Sequence, residues 1–323
     1  MLEARSPRIP SATLGPRWAG LVSACRGGDE LARISSAGVA APVREAPATR
    51  LPAFSHIFVI VMENKEASEV VGHPEAPYLN GLAARYARAG NFYATRHPSL
   101  PNYLALTGGD TFGITKNCRD CFLAVDNLAS QIEAAGRSWK AYMESMPEPC
   151  FVGNASPYAQ RHNPFIYYDN LRTDPALCRK IVPFDRFGTD LEQGALPDFV
   201  WITPDTCHDM HSCSVATGDV WLRNWVPRIL ASPAWQDRGV LFITWDEGST
   251  DAGCCTHAAG GKVDTLVVSP LARSGFTSLV PYDHYSLLRS IEEAWGLPLL
   301  GHAGCDCTRP MDDFFEPPTA GRG

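Results

Sequence analysis

The chain has 323 residues, of which 45% are hydrophobic, and it carries a formal net charge of -7 at pH 7. A chain of this length and apolar content can bury a large core, and we expect one α/β domain rather than two smaller ones. The negative charge and the scattered Lys and Arg residues argue against general nucleic-acid binding. No apolar run reaches the about 20 residues that a membrane-spanning helix needs.

The first 52 residues are rich in Ala, Arg, Pro and Ser and show no sustained periodicity, which is typical of a leader or a disordered segment. Within them, residues 18–25 partly resemble the end of a bacterial export signal with a lipoprotein-type cysteine, Cys25. We expect one folded domain over residues 53–310, with an irregular insertion at about 144–190, and a C-terminal tail over 311–323.

Buried strands alternate with amphipathic helices along this domain. The predicted strands cover residues 57–62, 138–143, 198–203, 239–245 and 263–269, and the predicted helices cover 77–89, 126–135, 221–230 and 285–295. We interpret Gly90 as the stop of the first helix. The alternation predicts an α/β fold, a three-layer sandwich with a mostly parallel central sheet and helices on both faces.

One proline-flanked segment stands out, Arg96-His97-Pro98-Ser99-Leu100-Pro101-Asn102-Tyr103. Its prolines restrict the backbone. A helix that begins here would put Ser99 near a helix N-terminus, where backbone N–H groups favour a phosphate or an alkoxide. Ser99 could therefore be a nucleophile, or it could only cap the helix.

Further polar residues follow predicted strands or begin predicted helices: Glu63, Asn64, Asp209, His211, Asp246, Glu247 and His284. The carboxyl ends of parallel strands meet at one edge of a sheet, so we expect these residues to converge with His97, Ser99 and Asn102. Each one alone could be a turn, a cap or a structural histidine. Together, their carboxylates would need a cation or shared protons.

This set suits metal-assisted attack on phosphorus. Oxygen ligands from Glu63, Asn64, Asp246 and Glu247 fit a divalent ion such as Mg²⁺, Ca²⁺ or Mn²⁺, and nearby histidines would also allow Zn²⁺ or Fe. Such an ion would lower the pKa of the Ser99 hydroxyl. The histidines could hold phosphate oxygens or protonate the leaving group, and the pattern leaves open which does which: His97, His162, His211 and His284.

Ten of the eleven cysteines form five close pairs, which leaves Cys25 over: Cys118/Cys121, Cys150/Cys178, Cys207/Cys213, Cys254/Cys255 and Cys305/Cys307. This pattern predicts up to five disulfides and a secreted or cell-envelope protein. Zinc thiolate sites are the alternative, but histidines at ligand-like spacing are missing beside the pairs.

Seven short segments follow one another in a characteristic order and spacing between about residues 56 and 303. They are Val61-Met62-Glu63-Asn64, Ala76-Pro77-Tyr78-Leu79-Asn80, His97-Pro98-Ser99-Leu100-Pro101-Asn102-Tyr103, Arg161-His162-Asn163-Pro164-Phe165, Asp209-Met210-His211, Thr244-Trp245-Asp246-Glu247-Gly248 and His284-Tyr285-Ser286-Leu287-Leu288. Together they resemble the bacterial secreted phosphoesterases that include acid phosphatases and relatives of phospholipase C, within the alkaline-phosphatase-like superfamily.

The resemblance implies an alkaline-phosphatase-like fold and makes residues 53–310 the catalytic domain of a metal-dependent phosphatase. Ser99 would be the nucleophile, and the metal ligands would be Glu63, Asn64, Asp246 and Glu247. The phosphate would be surrounded by His97, Asn102, His162, Asp209, His211 and His284. The substrate would be a phosphorylated small molecule or lipid, such as a phosphoinositide.

Two features depart from the family pattern. His208 stands where the family would have Asn, and the Cys254-Cys255 and Cys305/Cys307 pairs are additional. Two other functions therefore stay open. One is a phosphodiesterase of the phospholipase C type, and the other is a disulfide-braced binding protein without activity. A metal-free serine hydrolase is disfavoured because no Gly-x-Ser-x-Gly surrounds Ser99.

Overall fold

The computed structural model describes residues 50–316, which contain a nine-stranded mixed sheet. Its strands are β1 (Ile57–Met62), β2 (Ala87–Tyr93), β3 (Trp139–Met143), β4 (Ile181–Pro183), β5 (Phe199–Thr203), β6 (Val240–Trp245), β7 (Lys262–Val268), β8 (Thr277–Ser278) and β9 (Tyr282–Asp283). The order across the sheet is β4-β3-β5-β1-β6-β7-β2-β8, and β9 pairs with β2. Among these strands only β7 is antiparallel to its neighbours, so the predicted mostly parallel sheet is confirmed.

Helices cover this sheet. They are α1 (Ala67–Val70), α2 (Pro77–Arg85), α3 (Ser99–Gly108), α4 (Leu128–Ala134), α5 (Asp169–Arg172), α6 (Pro175–Cys178), α7 (Asp185–Glu192), α8 (Val215–Leu230), α9 (Pro233–Gln236) and α10 (His284–Trp295). Helix α2 packs against α8, and α3 packs against α4 and α10. Every residue of β1, β5 and β6 is buried, because both faces of the sheet's centre are covered.

The predicted helix over 77–89 is wrong in its last four residues. Helix α2 ends at Arg85, and the chain continues as strand β2, which the sequence analysis missed. Gly90 lies inside that strand rather than stopping a helix. A Cβ at this position would lie 2.8 Å from Cγ2 of Thr277 in the neighbouring strand β8, so the glycine permits the close approach of two strands.

The carboxyl ends of four strands meet at one edge. Strands β5 and β6 run parallel to β1 on either side of it. Strand β2 runs in the same direction, because β7 lies between β6 and β2 and is antiparallel to both. The segments that follow these four strands therefore emerge together, and they contain Glu63, Ser99, Asp209 and Asp246.

The segment predicted as an irregular insertion, residues 144–190, contains short helices and strand β4, which joins the sheet beside β3. The chain also stays packed beyond the predicted start of the tail at 311, since Met311, Phe314 and Phe315 are buried. The predicted leader and its export-like segment lie outside the described residues, apart from residues 50–52.

All five predicted disulfides are present: Cys118–Cys121, Cys150–Cys178, Cys207–Cys213, Cys254–Cys255 and Cys305–Cys307. Because these cysteines are paired in disulfides, they are not free to bind zinc as thiolates, and the zinc alternative is excluded for them. Within residues 50–316, none of the helices has both the length and the apolar content to cross a membrane.

Candidate active site

Ser99 is the first residue of helix α3 and lies at the sheet edge, 2% exposed. Its Oγ is 3.1 Å from Oε1 of Glu247 and 3.3 Å from Oε2 of Glu63. The single hydroxyl hydrogen can be donated to one of these oxygens at a time. The serine hydroxyl is thus held between two carboxylates, either of which can accept its proton.

Asn102 supports the loop before Ser99. Its Oδ1 accepts from Arg96 N at 3.0 Å, and its Nδ2 donates to the carbonyl oxygens of Arg96 at 2.6 Å and Pro98 at 3.3 Å. The carboxamide thereby braces the two residues that flank His97. Its predicted contact with phosphate stays a prediction.

Glu63, Asn64, Asp246 and Glu247 form one group at the ends of β1 and β6. Asn64 has a left-handed backbone with φ of 42°, and its N–H donates to Asp246 Oδ1 at 3.1 Å. Its Nδ2 donates to Glu247 Oε1 at 3.0 Å. The sharp turn after β1 thus joins the two strand ends, and the structure brings all four predicted metal ligands together.

His162 and Asp209 complete this acidic cluster from the other side. His162 Nε2 is 3.2 Å from Glu63 Oε1, and its Nδ1 is 3.4 Å from Asp209 Oδ2. The imidazole stacks on Tyr103, with ring centroids 5.5 Å apart and an interplanar angle of 11°. Glu63, His162 and Asp209 can each offer a ligand atom, and these atoms lie within 4.8 Å of one another. The two residues predicted around the phosphate therefore also suit a metal.

Two buried oxygens of the cluster, Asn64 Oδ1 and Asp246 Oδ2, have no hydrogen-bond partner, and His162 Nε2 and Asp209 Oδ2 have only the ion-pair contacts given above. Leaving such atoms unpaired costs about 1–3 kcal/mol each. Oxygen and imidazole donors of this kind are what a divalent cation uses. The residues present fit a metal ion, and the unpaired atoms are the observation that supports it.

The electrostatics point the same way. Burial, reinforced by the charges of Asp246 and Asp209, raises the pKa of Glu63 well above its usual range. Burial and neighbouring carboxylates raise the pKa of Asp246 to about 8, and burial raises that of Asp209 to about 8. So many buried carboxylates repel one another unless a cation or protons are shared among them.

The other three predicted histidines differ in placement. His97 hydrogen-bonds Glu247 through Nδ1 and the Thr250 carbonyl through Nε2 at 3.0 Å. Burial alone would lower its pKa, but these two hydrogen bonds raise it. His211 is exposed, and its ring centroid is 6.0 Å from that of His162. Partial desolvation of the ring, with Arg161 and Lys65 nearby, lowers the pKa of His211.

His284 lies deeper. Its Nε2 pairs with the Trp245 carbonyl at 3.1 Å and its Nδ1 with Thr95 Oγ1 at 3.2 Å. Burial lowers its pKa to about 4, so the ring is neutral near pH 7. Both ring nitrogens are thus engaged by these two partners, neither of which is a carboxylate of the acidic cluster. Its catalytic role stays a prediction.

Two residues of the site, Tyr103 and Arg161, were not among the residues predicted from the sequence. The Tyr103 hydroxyl donates to Glu63 Oε1 at 2.5 Å, and Arg161 Nη2 lies 3.4 Å from His211 Nε2. Tyr103 could have been found from its spacing, because it is four residues after Ser99 on the same helix face. Arg161 could have been found as the cation next to His162.

The fold is similar to that of proteins in the alkaline phosphatase superfamily. A protein of this superfamily from Vibrio parahaemolyticus superimposes with a TM-score of 0.55, over 82% of this chain and 72% of that chain, at 14% sequence identity. At this identity the likeness concerns the fold alone. Membership of a family comes from the sequence comparisons.

The chain belongs to the phosphoesterase family, whose model matches residues 73–298. The phosphatidylinositol-3-phosphatase of Mycobacterium tuberculosis is 34% identical over 258 residues, which cover 79% of this chain and 82% of that protein. An acid phosphatase of Aspergillus fumigatus is 29% identical over 265 residues, which cover 78% of this chain and 57% of that protein. The predicted family and the predicted enzyme class, a phosphatase hydrolase, are confirmed.

Proposed function

We propose that this protein is a metal-dependent acid phosphatase that hydrolyses phosphate monoesters through a phosphoserine at Ser99. The observation that carries the proposal is the Ser99 hydroxyl between Glu247 and Glu63 at the start of helix α3. The relatives named acid phosphatase and phosphatidylinositol-3-phosphatase support monoesters, phosphoinositides among them, as the substrate class.

A divalent metal would be held by the predicted ligands Glu63, Asn64, Asp246 and Glu247, with Asp209 and His162 beside them. When bound, it would supply positive charge that lowers the pKa of the Ser99 hydroxyl and neutralises phosphate oxygens. The unpaired Asp246 Oδ2 and Asn64 Oδ1 support this assignment. The donor set does not select among Mg²⁺, Ca²⁺, Mn²⁺, Zn²⁺ and Fe.

Phosphoryl transfer to Ser99 is the first step. As the Ser99 oxygen attacks phosphorus, its proton passes to Oε1 of Glu247, the nearer acceptor at 3.1 Å. The bond between phosphorus and Ser99 forms while the bond from phosphorus to the alcohol oxygen breaks. The alcohol oxygen takes up a proton, and His97 and His211 lie on the more open side of the cluster to supply it.

Hydrolysis of the phosphoserine is the second step. Water attacks phosphorus and gives a proton to the histidine that protonated the alcohol, the bond to Ser99 breaks, and the Ser99 oxygen regains the proton that Glu247 held. Arg161, the cation beside His211, can contact phosphate oxygens throughout because its guanidinium stays charged. Asn102 keeps the loop of His97 and Ser99 in place for both steps.

The test is Ser99→Ala, with Ser130→Ala on helix α4 as a matched control. The Ser130 hydroxyl accepts from Asn170 Nδ2 in an exposed hydrogen bond, so its variant should keep full activity. We expect S99A to retain the circular dichroism of the parent and to lose turnover of an aryl phosphate. Acid-quenched wild-type protein should carry one phosphoryl group on the peptide with Ser99. Undiminished turnover by S99A would overturn the proposal.

The same assay separates the alternatives. Release of phosphocholine from phosphatidylcholine without phosphate release from monoesters would assign a phosphodiesterase instead. Absence of both activities, together with no binding of divalent metals, would assign a binding protein. We also infer a secreted or cell-envelope location, which the five disulfides support.

A further inference from the structure

A cleft of about 510 Å³ opens beside His97, on the side of the imidazole away from the acidic cluster. Its lining includes Thr95, Arg96, Asp110, Asp251, His257 and His302. Cavities of this size hold small organic ligands. His97 also lines the cleft, but Thr95, Arg96, Asp110, Asp251, His257 and His302 take no part in the steps described above.

One wall of the cleft is formed by a loop that is hydrogen-bonded to the site and by stacked aromatic rings. The loop over residues 251–259 is fastened to the loop before Ser99 by the hydrogen bond from Ala259 N to the Thr95 carbonyl, at 2.9 Å. His257, carried by this loop, stacks on His302 with ring centroids 3.9 Å apart, and both rings meet Tyr285 edge-on. The stacked rings form a wall of the cleft.

The charges that line the cleft are unequally compensated. Asp110 Oδ2 is 3.9 Å from His302 Nε2, and Asp251 Oδ1 is 3.9 Å from His97 Nε2. Arg96 has no such partner: within residues 50–316 it makes no ion pair, and its buried Nε has no hydrogen-bond partner. A guanidinium stays charged and offers a planar fork of donors that fits phosphate and carboxylate.

We propose that the cleft binds the alcohol part of the substrate and that Arg96 binds a second anionic group on it. The inference rests on the proposed function, because it places the phosphoryl group at Ser99. Arg96 lies three residues before Ser99, and His97 between them hydrogen-bonds Glu247, the acceptor of the Ser99 hydroxyl. An ester whose phosphoryl group is at Ser99 can therefore extend past His97 into the cleft.

The substrate class is thus a phosphate monoester whose alcohol part carries a further phosphate or carboxylate. A soluble bisphosphate and a lipid head group with a diester phosphate share this chemistry. Because charge-assisted bonds to a guanidinium are strong, we expect the second anionic group to raise kcat/KM at least about tenfold over a neutral ester of the same length.

The experiment compares linear diol bisphosphates of three to six carbons with the monophosphates of the corresponding alcohols. Wild type should prefer the bisphosphate at one or more lengths. Arg96→Gln should lose that preference and Arg96→Lys should keep part of it, since Lys retains the charge without the fork. Arg223→Gln, on an exposed position of helix α8, is the control and should prefer the bisphosphate as wild type does.

A second arm measures affinity without turnover, with non-hydrolysable bisphosphonates and monophosphonates titrated into the metal-loaded protein. If wild type hydrolyses no ester, the proposed function fails, and this arm still decides the role of the cleft. A third arm presents the head group on vesicles. Equal preference for both ligand types in wild type, or an unchanged preference in R96Q, would overturn the proposal. So would an effect confined to vesicles and shared by R223Q.

Discussion

Replacement of Glu66 by alanine should loosen the loop that holds His97. Glu66 lies shortly after β1, and its carboxylate accepts several hydrogen bonds from the loop after β6. Its Oε1 accepts from Ser249 N at 3.1 Å, Thr250 N at 3.0 Å and Thr250 Oγ1 at 2.7 Å. Its Oε2 accepts from Lys262 N at 3.2 Å. The Thr250 carbonyl of the same loop pairs with His97 Nε2, so Glu66 acts on the site as a positioning residue.

The magnitude follows from these four bonds. A charge-assisted bond contributes about 1.5–3 kcal/mol when it is buried, and Glu66 is only partly buried, so water replaces part of each loss. We therefore expect E66A to lower the free energy of unfolding by about 2–4 kcal/mol. Glu66→Gln keeps the three bonds to Oε1 if its amide nitrogen faces Lys262 N. We expect it to lower the free energy of unfolding by about half as much as E66A.

The assay combines urea unfolding with steady-state kinetics on an aryl phosphate. We expect kcat of E66A to fall about tenfold with little change in KM, since one catalytic contact is misplaced while phosphate binding stays. Glu75→Ala, at an exposed position before helix α2, is the matched control. An E66A protein with the stability loss and the kcat of wild type would refute the positioning role. Unchanged stability would refute the energetic reasoning.

Three further outcomes are expected. Adding a divalent ion should raise the unfolding temperature, and Asp246→Asn should diminish that rise; no rise with any of several ions would contradict a metal site. Tyr103→Phe should lower kcat/KM about tenfold with the fold intact, since Glu63 loses a hydrogen bond; wild-type kinetics would count against this contact. Burial raises the pKa of Glu292 from 4.5 to about 8, so the folded state binds this proton more tightly than the unfolded state. Stability should fall as pH rises from about 4.5 to about 8, and Glu292→Gln should flatten that part of the urea-unfolding profile, gaining up to about 4 kcal/mol at pH 8. A slope unchanged in E292Q would contradict the assignment.

The sequence predicted the centre of the sheet well because strands β1, β5 and β6 are apolar throughout. Such runs arise where both faces of a strand are covered. Strand β2 was missed because two of its three buried residues, Ala87 and Ala89, are small and follow the helical pattern of Leu79 and Leu82 without a break. Strands β4, β8 and β9 have only two or three residues each, which is too short for any periodicity.

For the site, the strand ends were enough to predict which residues meet, but not where each ring points. The contacts of Ser99 with Glu63 and Glu247 follow from parallel strands that end at one edge. The orientation of His284 depends on the Trp245 carbonyl and on Thr95, partners from other segments that its own sequence context does not reveal. The role of Glu66 was hidden for the same reason, since its partners lie more than 180 residues away.

The disulfides join cysteines that are close along the chain, with sequence separations of 3, 28, 6, 1 and 2 residues. A cross-link restrains the unfolded chain more strongly the longer the loop that it closes, so four of these five bonds remove little of its freedom. No cysteine pair joins one sheet strand to another. Oxidation therefore closes local segments, among them the loop over residues 207–213 that carries Asp209, while the sheet depends on non-covalent packing. Because the sheet does not depend on the disulfides, we expect it to form in a reducing cytoplasm. Recombinant production there, followed by oxidation in vitro, is therefore a practical route to the folded enzyme.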